Sequence, residues 1–367
     1  MDCIFRTLSS IGLRDTILNQ FAFEQPSTVN YKFYTSQSNK LKMKTLSDPK
    51  NDKSDQIPAE AFFQDLPQLS LDCYVVHKDC PGHVNMVHIK NANNPTNTVI
   101  FYCHGNSSCL GRLFPFIRDI AATAAVDVFA LDYHGYGDIK GKPTDTNVIE
   151  SVQMAYKHLT KELGVQSANI VLYGQSLGGG PVTFLACHPD YPVGGLIVES
   201  GFASGLRTMS KNRTQLYYRD FFPSSYYMGF VDCLTFIMQA DDDSRMPKEN
   251  SRILYKASPK NFEPFFPATG EHNDIKIKHH DEYYKRLKEF LGKVKGLRES
   301  LGAEEFKKRF RGRLPKKFPH FYCEKFSPDF DVGTAGSDKW PKDLMFDRPV
   351  ESGEGPGGVN APLVGQN

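Results

Sequence analysis

The chain has 367 residues, 40% of them hydrophobic, and its 44 basic and 42 acidic residues leave a formal net charge of +2. This balance, without a basic recognition helix or a Cys/His finger spacing, gives no support to a nucleic-acid partner, and none is expected. The length exceeds that of most single domains and predicts one α/β domain of roughly 250–300 residues with an additional tail.

The eight cysteines are scattered along the chain without a Cys-x-x-Cys pair. This spacing predicts neither a disulfide framework nor a metal site, and it fits a reducing compartment. An acidic residue, Asp2, stands near the N-terminus, and no long apolar run follows it, so no secretory signal is expected. No stretch is long enough to span a membrane. We therefore expect a cytoplasmic protein with no cofactor and no metal.

Three segments are predicted along the chain. Residues 1–57 form an N-terminal lead-in, in which the polar, turn-rich stretch 36–57 is expected to be a loop or a mobile insertion. Residues 58–300 alternate apolar strands with helices, which predicts a mostly parallel sheet covered on both faces, with an antiparallel pair at its front. The predicted strands are 71–77, 84–89, 98–103, 126–131, 170–173, 195–198, 234–238 and 262–266, and the predicted helices are 109–123, 147–163, 177–188, 247–256 and 275–295.

Residues 301–367 form the predicted tail. A basic run at 307–317 is followed by a low-complexity, Gly-rich stretch at 351–358, which is expected to be disordered. A basic run favours anionic lipid surfaces, although such runs are more often solvated faces, and both interpretations stay open.

A serine between two glycines stands in the sequence Gly-Gln-Ser-Leu-Gly at 174–178. It follows the strand 170–173 and precedes the helix-compatible run 181–186, which is the strand–turn–helix context of a nucleophile elbow. The turn is so tight that side chains at the glycine positions would collide with backbone, and the next helix points N–H groups at the serine. Ser176 is therefore the predicted nucleophile, with a helix-capping serine as the alternative.

A serine hydroxyl needs a base that is itself held by an acid, and in this fold the chain order is serine, acid, histidine. The loop after strand 234–238 carries three consecutive aspartates. Asp243 is favoured over Asp242 because it stands four residues before the proline that opens the next helix. His272 follows the last predicted strand across a turn, where a base can reach Ser176. The alternatives are solvated carboxylates at a helix N-terminus and a loop histidine near a helix cap.

An oxyanion hole needs two backbone N–H donors. One is predicted from Leu177, the residue after the nucleophile, and the other from Asn106, in the loop after strand 98–103. His104 in the same loop is expected to be a packed, hydrogen-bonded organiser rather than a base.

Five short motifs occur in order within roughly residues 15–292: His-Gly-Asn at 104–106, Asp-Tyr-His-Gly-Tyr-Gly at 132–137, Gly-Lys-Pro-Thr-Asp at 141–145, the elbow at 174–178 and Gly-Glu-His-Asn-Asp at 270–274. As a set they resemble the α/β-hydrolase domain-containing family 17, serine hydrolases that remove palmitate from cysteines of membrane-associated proteins. The resemblance implies an α/β-hydrolase fold with Ser176, Asp243 and His272 as its triad. It also implies that Asn106 and Leu177 line the oxyanion hole. The implied reaction is thioester hydrolysis through an acyl-serine, on an acylated protein or a small acyl-ester substrate.

The chain departs from the family pattern in three places. Cys3 alone stands near the start, where the family's depalmitoylating members carry an acylated cysteine cluster, and one acyl chain binds membranes weakly. Cys3 and the basic tail are the two expected points of peripheral membrane contact. Gln239-Ala240 replaces the usual His-Gly after the late strand. Glu271 replaces a small residue before the histidine and adds a carboxylate near the predicted site.

The stretch 202–231 is rich in aromatic residues but too short for a large lid domain. Its rings, which include Tyr217, Tyr218, Phe221 and Phe222, either line an open groove for an acyl chain or cover the edge of the sheet. The triad does not encode the leaving group. A small-molecule or lipid carboxylesterase therefore stays an alternative, as does a non-catalytic binding protein with this fold.

Overall fold

A computed structural model of the chain describes residues 22–48, 51, 53–78, 82–205 and 221–309. The strands are β1 (Tyr31–Thr35), β2 (Leu41–Leu46), β3 (Gln56–Pro58), β4 (Leu69–Lys78), β5 (Gly82–Asn91), β6 (Val99–Cys103), β7 (Asp127–Leu131), β8 (Ile170–Gln175), β9 (Gly195–Glu199) and β10 (Leu234–Met238). The helices are α1 (Leu110–Ala124), α2 (Asp145–Lys157), α3 (Gly179–Cys187), α4 (Ser224–Met228), α5 (Glu249–Ala257), α6 (Ile275–Lys278) and α7 (His280–Arg309).

The larger sheet has seven strands in the order β10-β9-β8-β6-β7-β5-β4. Strands β6 to β10 pair in parallel, whereas β5 pairs antiparallel with both β4 and β7. Every residue of β6, β8 and β9 is buried, as expected for parallel strands covered by helices on both faces. This architecture confirms the predicted α/β-hydrolase fold with a mostly parallel central sheet.

The prediction of a loop over 36–57 is wrong in part, because β2 lies inside it and pairs antiparallel with β1 and β3. Inward and outward side chains alternate along much of β2, with Met43 and Thr45 buried and Lys44 exposed between them. Met43 and Tyr31 pack into the same apolar core as the larger sheet. The surrounding Ser, Asn and Asp residues suggested a loop and concealed this short alternating pattern.

The predicted eighth strand at 262–266 is also wrong as a continuous element. This stretch meets β10 through two isolated parallel bridges, at Asn261 and Phe265. Pro264 stands between the two bridges and has no N–H to donate, so it interrupts a regular ladder.

Helix α7 changes direction near the predicted start of the tail. Gly302 has a φ of +69° and breaks the helical backbone there, a conformation that glycine adopts readily. Residues 310–367, which hold most of the basic run and the Gly-rich stretch, lie outside the described part of the chain. Within the described ranges, no helix is both long and apolar enough to cross a membrane.

The parallel strands place the predicted site at one edge of the sheet. The loops that leave β6, β8 and β10 all start from the carboxyl ends of parallel strands, and these ends lie on the same side. These are the loops that carry Asn106, Ser176 and Asp243.

Candidate active site

The predicted nucleophile stands on a sharp turn between a strand and a helix. Ser176 directly follows β8 and has a φ of +50°, a left-handed conformation that residues other than glycine seldom adopt. A single 3-10 turn over Ser176–Gly178 then leads into α3. Backbone strain of this kind is concentrated at functional sites, and a nucleophile elbow requires it.

The two glycines that flank Ser176 are required by close approach of the backbone. A Cβ atom at Gly174 would lie 2.4 Å from the Gly178 carbonyl oxygen, and one at Gly178 would lie 2.1 Å from the Cys103 carbonyl oxygen. Larger residues would therefore displace the turn from the end of β6. The glycine pattern seen in the sequence has a direct steric cause.

His272 lies within hydrogen-bonding distance of both of its predicted partners. Its Nε2 atom is 2.9 Å from the Ser176 hydroxyl oxygen, and its Nδ1 atom is 2.8 Å from Asp243 Oδ2. A carboxylate only accepts hydrogen bonds, so Nδ1–H donates to Asp243 and Nε2 is left to accept the serine proton. The structure thus brings the predicted nucleophile, acid and base together in one connected relay.

Asp243 is a buried carboxylate with several donors around it. The backbone N–H groups of Arg245 and Met246 donate to Oδ1 at 3.0 and 2.8 Å, and the Gln239 amide donates to Oδ2 at 3.3 Å. Burial raises the pKa of this carboxyl, but the hydrogen bond and charge of His272, with the two backbone donors, outweigh burial and lower the pKa below its ordinary value. Asp243 therefore stays charged at neutral pH, where it can stabilise an imidazolium.

The three consecutive aspartates have different surroundings. Asp242 is exposed, and Asp241 forms an ion pair with Arg252 at 2.9 Å. Asp243 is the one of the three that contacts His272. The preference for Asp243 over Asp242, which rested on loop position, agrees with this geometry.

Two departures from the family pattern stabilise these loops. The Gln239 amide, which stands where histidine is usual, donates to Asp243 and also to the Met246 carbonyl oxygen at 2.5 Å. Glu271 accepts from the backbone N–H and the hydroxyl of Ser244, at 3.3 and 2.7 Å. The first contact braces the acid turn, and the second joins the acid loop to the base loop.

The predicted oxyanion donors belong to two segments that contact the nucleophile. Leu177 lies in the first turn after Ser176, where N–H groups have no intrahelical partner. Gly105, which precedes Asn106, is so close that an added Cβ would lie 3.2 Å from the Ser176 Cβ. The location suits the predicted donors, and their role stays a prediction.

The loop that carries Asn106 is held from outside the parallel sheet. The Asn106 amide donates to the Ala22 carbonyl oxygen at 2.8 Å and accepts from the Tyr136 hydroxyl at 2.6 Å. The next backbone N–H, of Ser107, donates to the Glu24 carbonyl oxygen at 2.8 Å. Sequence reasoning treated this N-terminal segment as a lead-in and missed the contact, because a backbone carbonyl leaves no signature in residue type.

His104 organises the same loop, as predicted. Its ring is fully buried and packs 4.4 Å from the ring of Tyr133, measured between centroids. Its Nδ1 atom lies 2.8 Å from the Gly105 carbonyl oxygen, and its Nε2 atom lies 3.1 Å from Asp132 Oδ1. With both nitrogens directed into the protein, this histidine has no route to act as a base on substrate.

The aromatic stretch before β10 packs into the protein interior. Phe222 lies against Gly180 of α3, where an added Cβ would be 2.5 Å from its ring. Tyr217 and Tyr218 lie outside the described residues. Phe230 is half-buried, and four further rings are buried and favour the interpretation that they cover the sheet: Phe221, Phe222, Tyr226 and Tyr227.

The described cysteines are core residues. All five are buried, and burial raises the pKa of the thiol to about 12 at Cys73 and at Cys233. In the ranges the structure describes, no group of three or more His, Cys, Asp or Glu side chains is arranged to hold a metal ion. Cys3 lies outside these ranges, so its predicted contact with a membrane stays a prediction.

A family model described as serine aminopeptidase, S33, matches residues 94–221. The matched range includes the loop with Asn106, which is the predicted oxyanion loop, and the elbow with Ser176. It ends before Asp243 and His272, so the assignment of these two residues rests on the geometry described above.

Several relatives share the name of one family. The alpha/beta hydrolase domain-containing protein aho-3 of Caenorhabditis elegans is 31% identical over 192 residues, which cover 52% of this chain and 57% of that protein. Human alpha/beta hydrolase domain-containing protein 17C is 30% identical over 192 residues, again with 52% and 57% coverage. The human 17B protein is 25% identical over 222 residues, covering 60% of this chain and 75% of that protein. The chain thus spans little more than half the length of the first two relatives.

Solved structures share the fold at low sequence identity. An esterase from Pyrococcus furiosus superposes with a TM-score of 0.52 at 16% identity, covering 64% of this chain and 96% of that chain. An acylaminoacyl peptidase from Pyrococcus horikoshii gives a TM-score of 0.56 at 14% identity, covering 76% of this chain and 52% of that chain. At such identities the likeness concerns the fold alone, which is that of the α/β-hydrolases. The sequence relatives, several of which are named alpha/beta hydrolase domain-containing protein 17, agree with the resemblance to the α/β-hydrolase domain-containing family 17 seen in the motifs.

Proposed function

We propose that the chain is a serine hydrolase that cleaves acyl thioesters or esters, and that its reaction is the removal of palmitate from S-acylated proteins. The observation that carries the hydrolase proposal is the relay from Ser176 through His272 to Asp243. The motif resemblance to family 17 supports the palmitoyl thioester as substrate.

The first half of the reaction forms an acyl-serine. The Ser176 hydroxyl oxygen attacks the acyl carbonyl carbon while Nε2 of His272 takes the hydroxyl proton. The charge of Asp243 stabilises the imidazolium, and the N–H groups of Leu177 and Asn106 bind the oxyanion. When the tetrahedral intermediate collapses, the carbon–sulfur bond breaks and the thiolate takes the proton from Nε2. An oxygen ester follows the same steps with an alkoxide as the leaving group.

The second half of the reaction regenerates the serine. A water molecule attacks the acyl-serine carbonyl carbon, and its proton passes to Nε2 of His272. Collapse of the second intermediate breaks the bond to Ser176 Oγ, which takes the proton back and releases the fatty acid. The net reaction is hydrolysis, with no redox change and no cofactor.

Two alternatives use the same fold. A small-molecule or lipid carboxylesterase would have the same relay, since the relay does not select the leaving group. A non-catalytic binding protein is disfavoured, because the strained φ of Ser176 and its contact with His272 are both retained.

A fluorophosphonate probe tests the hydrolase proposal. We expect the folded wild-type protein to be labelled at Ser176, and Ser176→Ala to remain unlabelled. The exposed Ser244 in the acid loop offers a matched control, since Ser244→Ala should be labelled like wild type. A folded wild-type protein that resists labelling would favour the binding-protein alternative.

A comparison of substrates tests the thioesterase proposal. Wild type and Ser176→Ala are incubated with a palmitoyl-cysteine peptide, a palmitoyl oxygen ester and a monoacylglycerol, and release of free fatty acid is measured. We expect Ser176-dependent turnover of the peptide. Turnover confined to the two oxygen esters would replace the thioesterase proposal with the carboxylesterase alternative.

A further inference from the structure

The residues next to the nucleophile and next to the base are joined by a side-chain hydrogen bond. Gln175, the last residue of β8, precedes Ser176, and Asn273 follows His272. The Gln175 amide nitrogen donates to Asn273 Oδ1 at 3.3 Å. We name this contact the elbow bridge. It connects two loops that meet at one hydroxyl but are separated by almost a hundred residues.

The Gln175 end of the elbow bridge is fixed by two further hydrogen bonds. Its amide nitrogen also donates to Glu199 Oε1 at 3.3 Å, and its Oε1 atom accepts from the Tyr102 hydroxyl at 3.1 Å. A carboxylate can only accept hydrogen bonds, so the Gln175 amide must turn its nitrogen, and not its oxygen, toward Glu199. Gln175 is only 8% exposed, and protein groups bond both its amide nitrogen and its amide oxygen.

Glu199 anchors this end from the neighbouring strand. It is the last residue of β9 and is fully buried. The hydroxyls of Tyr173 and Tyr283 donate to its Oε2 atom, and burial, with the charge of Glu199, raises the pKa of both phenols well above the ordinary range. Both tyrosines therefore remain protonated donors at any physiological pH.

The charge of Glu199 is balanced by a lysine on the base side. The Lys276 Nζ atom lies 4.0 Å from Glu199 Oε1 and 3.6 Å from the ring centroid of Phe116. Lys276 lies in α6, four residues after His272. Burial lowers the pKa of Lys276, and the charge of Glu199 opposes that shift. The ion pair between Lys276 and Glu199 is thus a second link, after the elbow bridge, between the segment that follows His272 and the sheet.

A buried carboxylate is costly to desolvate, and an apolar core would often be at least as stable. None of these groups takes part in the proton relay. They hold the backbone on both sides of the Ser176–His272 contact. We propose that Gln175, Asn273 and Glu199 are positioning residues, which set the distance between the serine hydroxyl and the imidazole. This inference rests on the proposed function and adds residues to the same site.

The expected effect appears in turnover rather than in substrate binding. Misplacement of a catalytic group by about 1 Å can cost on the order of 100-fold in rate. The elbow bridge is one of several constraints, and Asn273 is exposed, so we expect a smaller loss. Asn273→Ala should lower kcat about 10-fold with KM nearly unchanged. Asn273→Asp keeps an acceptor oxygen at this position and should recover most of the activity.

The experiment combines these two variants with Gln175→Met, which keeps the length of the side chain but removes its hydrogen bonds. If both residues act through one contact, Gln175→Met/Asn273→Ala should lose no more than the worse single variant. Tyr156→Phe is the matched control, because it deletes a hydroxyl that bonds the Pro192 carbonyl oxygen and Ser167 instead of the elbow bridge. It should leave kcat unchanged.

Any of three results would overturn the proposed positioning role of the elbow bridge. These are a wild-type kcat in Asn273→Ala, no recovery of kcat in Asn273→Asp, and losses in the two single variants that multiply in the double variant. Because Asn273 is exposed, its variants should fold even if Gln175→Met does not. Ser176→Ala, measured alongside, separates the two proposals. If wild type hydrolyses substrate and Ser176→Ala does not, unexpected rates in the other variants contradict only the proposed role of the elbow bridge. If wild type is inactive, both proposals fail.

Discussion

The base side and the oxyanion side of Ser176 are held in place by different kinds of contact. On the base side, His272 is held through side chains, by Asp243 directly and by the elbow bridge through its neighbour. On the oxyanion side, the loop of Asn106 bonds the main-chain carbonyl oxygens of Ala22 and Glu24, with one further side-chain contact from the Tyr136 hydroxyl. The base side thus depends on side chains at both ends of each contact, whereas the oxyanion side depends largely on the path of the N-terminal segment.

This difference determines what substitutions can show. A side-chain contact can be removed at either end, but a backbone carbonyl can be tested only through its donor. The base side should therefore give its largest effect at Asp243, which contacts His272 directly, and only small effects at its surface contacts, whereas the oxyanion side should give an intermediate effect. Three variants test this contrast, and they are given in order of decreasing expected loss of activity.

Asp243→Asn should have the largest effect, because it removes the charge that stabilises the His272 imidazolium and disturbs the tautomer that accepts the serine proton. The same change in a serine protease triad lowers kcat by roughly 10⁴-fold. Steady-state hydrolysis of an acyl ester, with circular dichroism to check folding, measures the loss. Asp242→Asn is the control and should stay within about 2-fold of wild type, since this side chain is exposed. Equal losses in the two variants would contradict the assignment of the acid.

Asn106→Ala should have an intermediate effect on the oxyanion side. It removes the amide that bonds the Ala22 carbonyl oxygen and the Tyr136 hydroxyl but keeps the backbone N–H. Loss of an oxyanion donor itself costs about 10²- to 10³-fold, so a donor that is merely less well placed should cost about 10-fold in kcat. Gln25→Ala serves as control, because Gln25 bonds the Gly135 and Gly141 carbonyl oxygens instead. An unchanged kcat in Asn106→Ala would show that the N-terminal contact is not needed.

Glu271→Ala should have the smallest effect. It removes the contacts to Ser244 that join the acid and base loops at the surface. A typical hydrogen bond contributes about 0.5–1.5 kcal/mol to stability. Water competes for these exposed bonds and neither touches the relay, so we expect a change of less than about 3-fold in kcat and a small fall in Tm. Rates across the pH range and thermal unfolding measure both. A loss approaching that of Asp243→Asn would mean that surface contacts, rather than the buried relay, hold the base side together.

The sequence predicted the fold and the arrangement of the relay because both depend on residue type and chain order. The elbow glycines are forced by steric contact, and the loops with Asp243 and His272 follow strands whose ends must meet at one edge. These are local constraints, and each leaves a pattern of a few residues.

The rest of the site depends on contacts that leave no such pattern. The residue types of Ala22 and Glu24 do not indicate that their carbonyl oxygens accept hydrogen bonds from the loop of Asn106. Glu199 directly follows the predicted strand 195–198, and its proposed role as an anchor depends on tyrosines from distant segments. β2 was missed for a related reason, because its polar composition outweighed a pattern of alternation only a few residues long.

The attachment of the oxyanion loop to residues 22–24 has a practical consequence for anyone shortening this protein. A fragment beginning at Tyr31 would keep every strand of both sheets and would pass the usual checks of secondary structure. It would nevertheless lack both carbonyl groups that brace the loop beside Ser176. Such a fragment should keep its secondary structure but be less stable, because it also loses the buried Phe23 ring that packs against Phe221 and Phe222. It should be a poor catalyst, and its weak turnover would be mistaken for a missing substrate or partner.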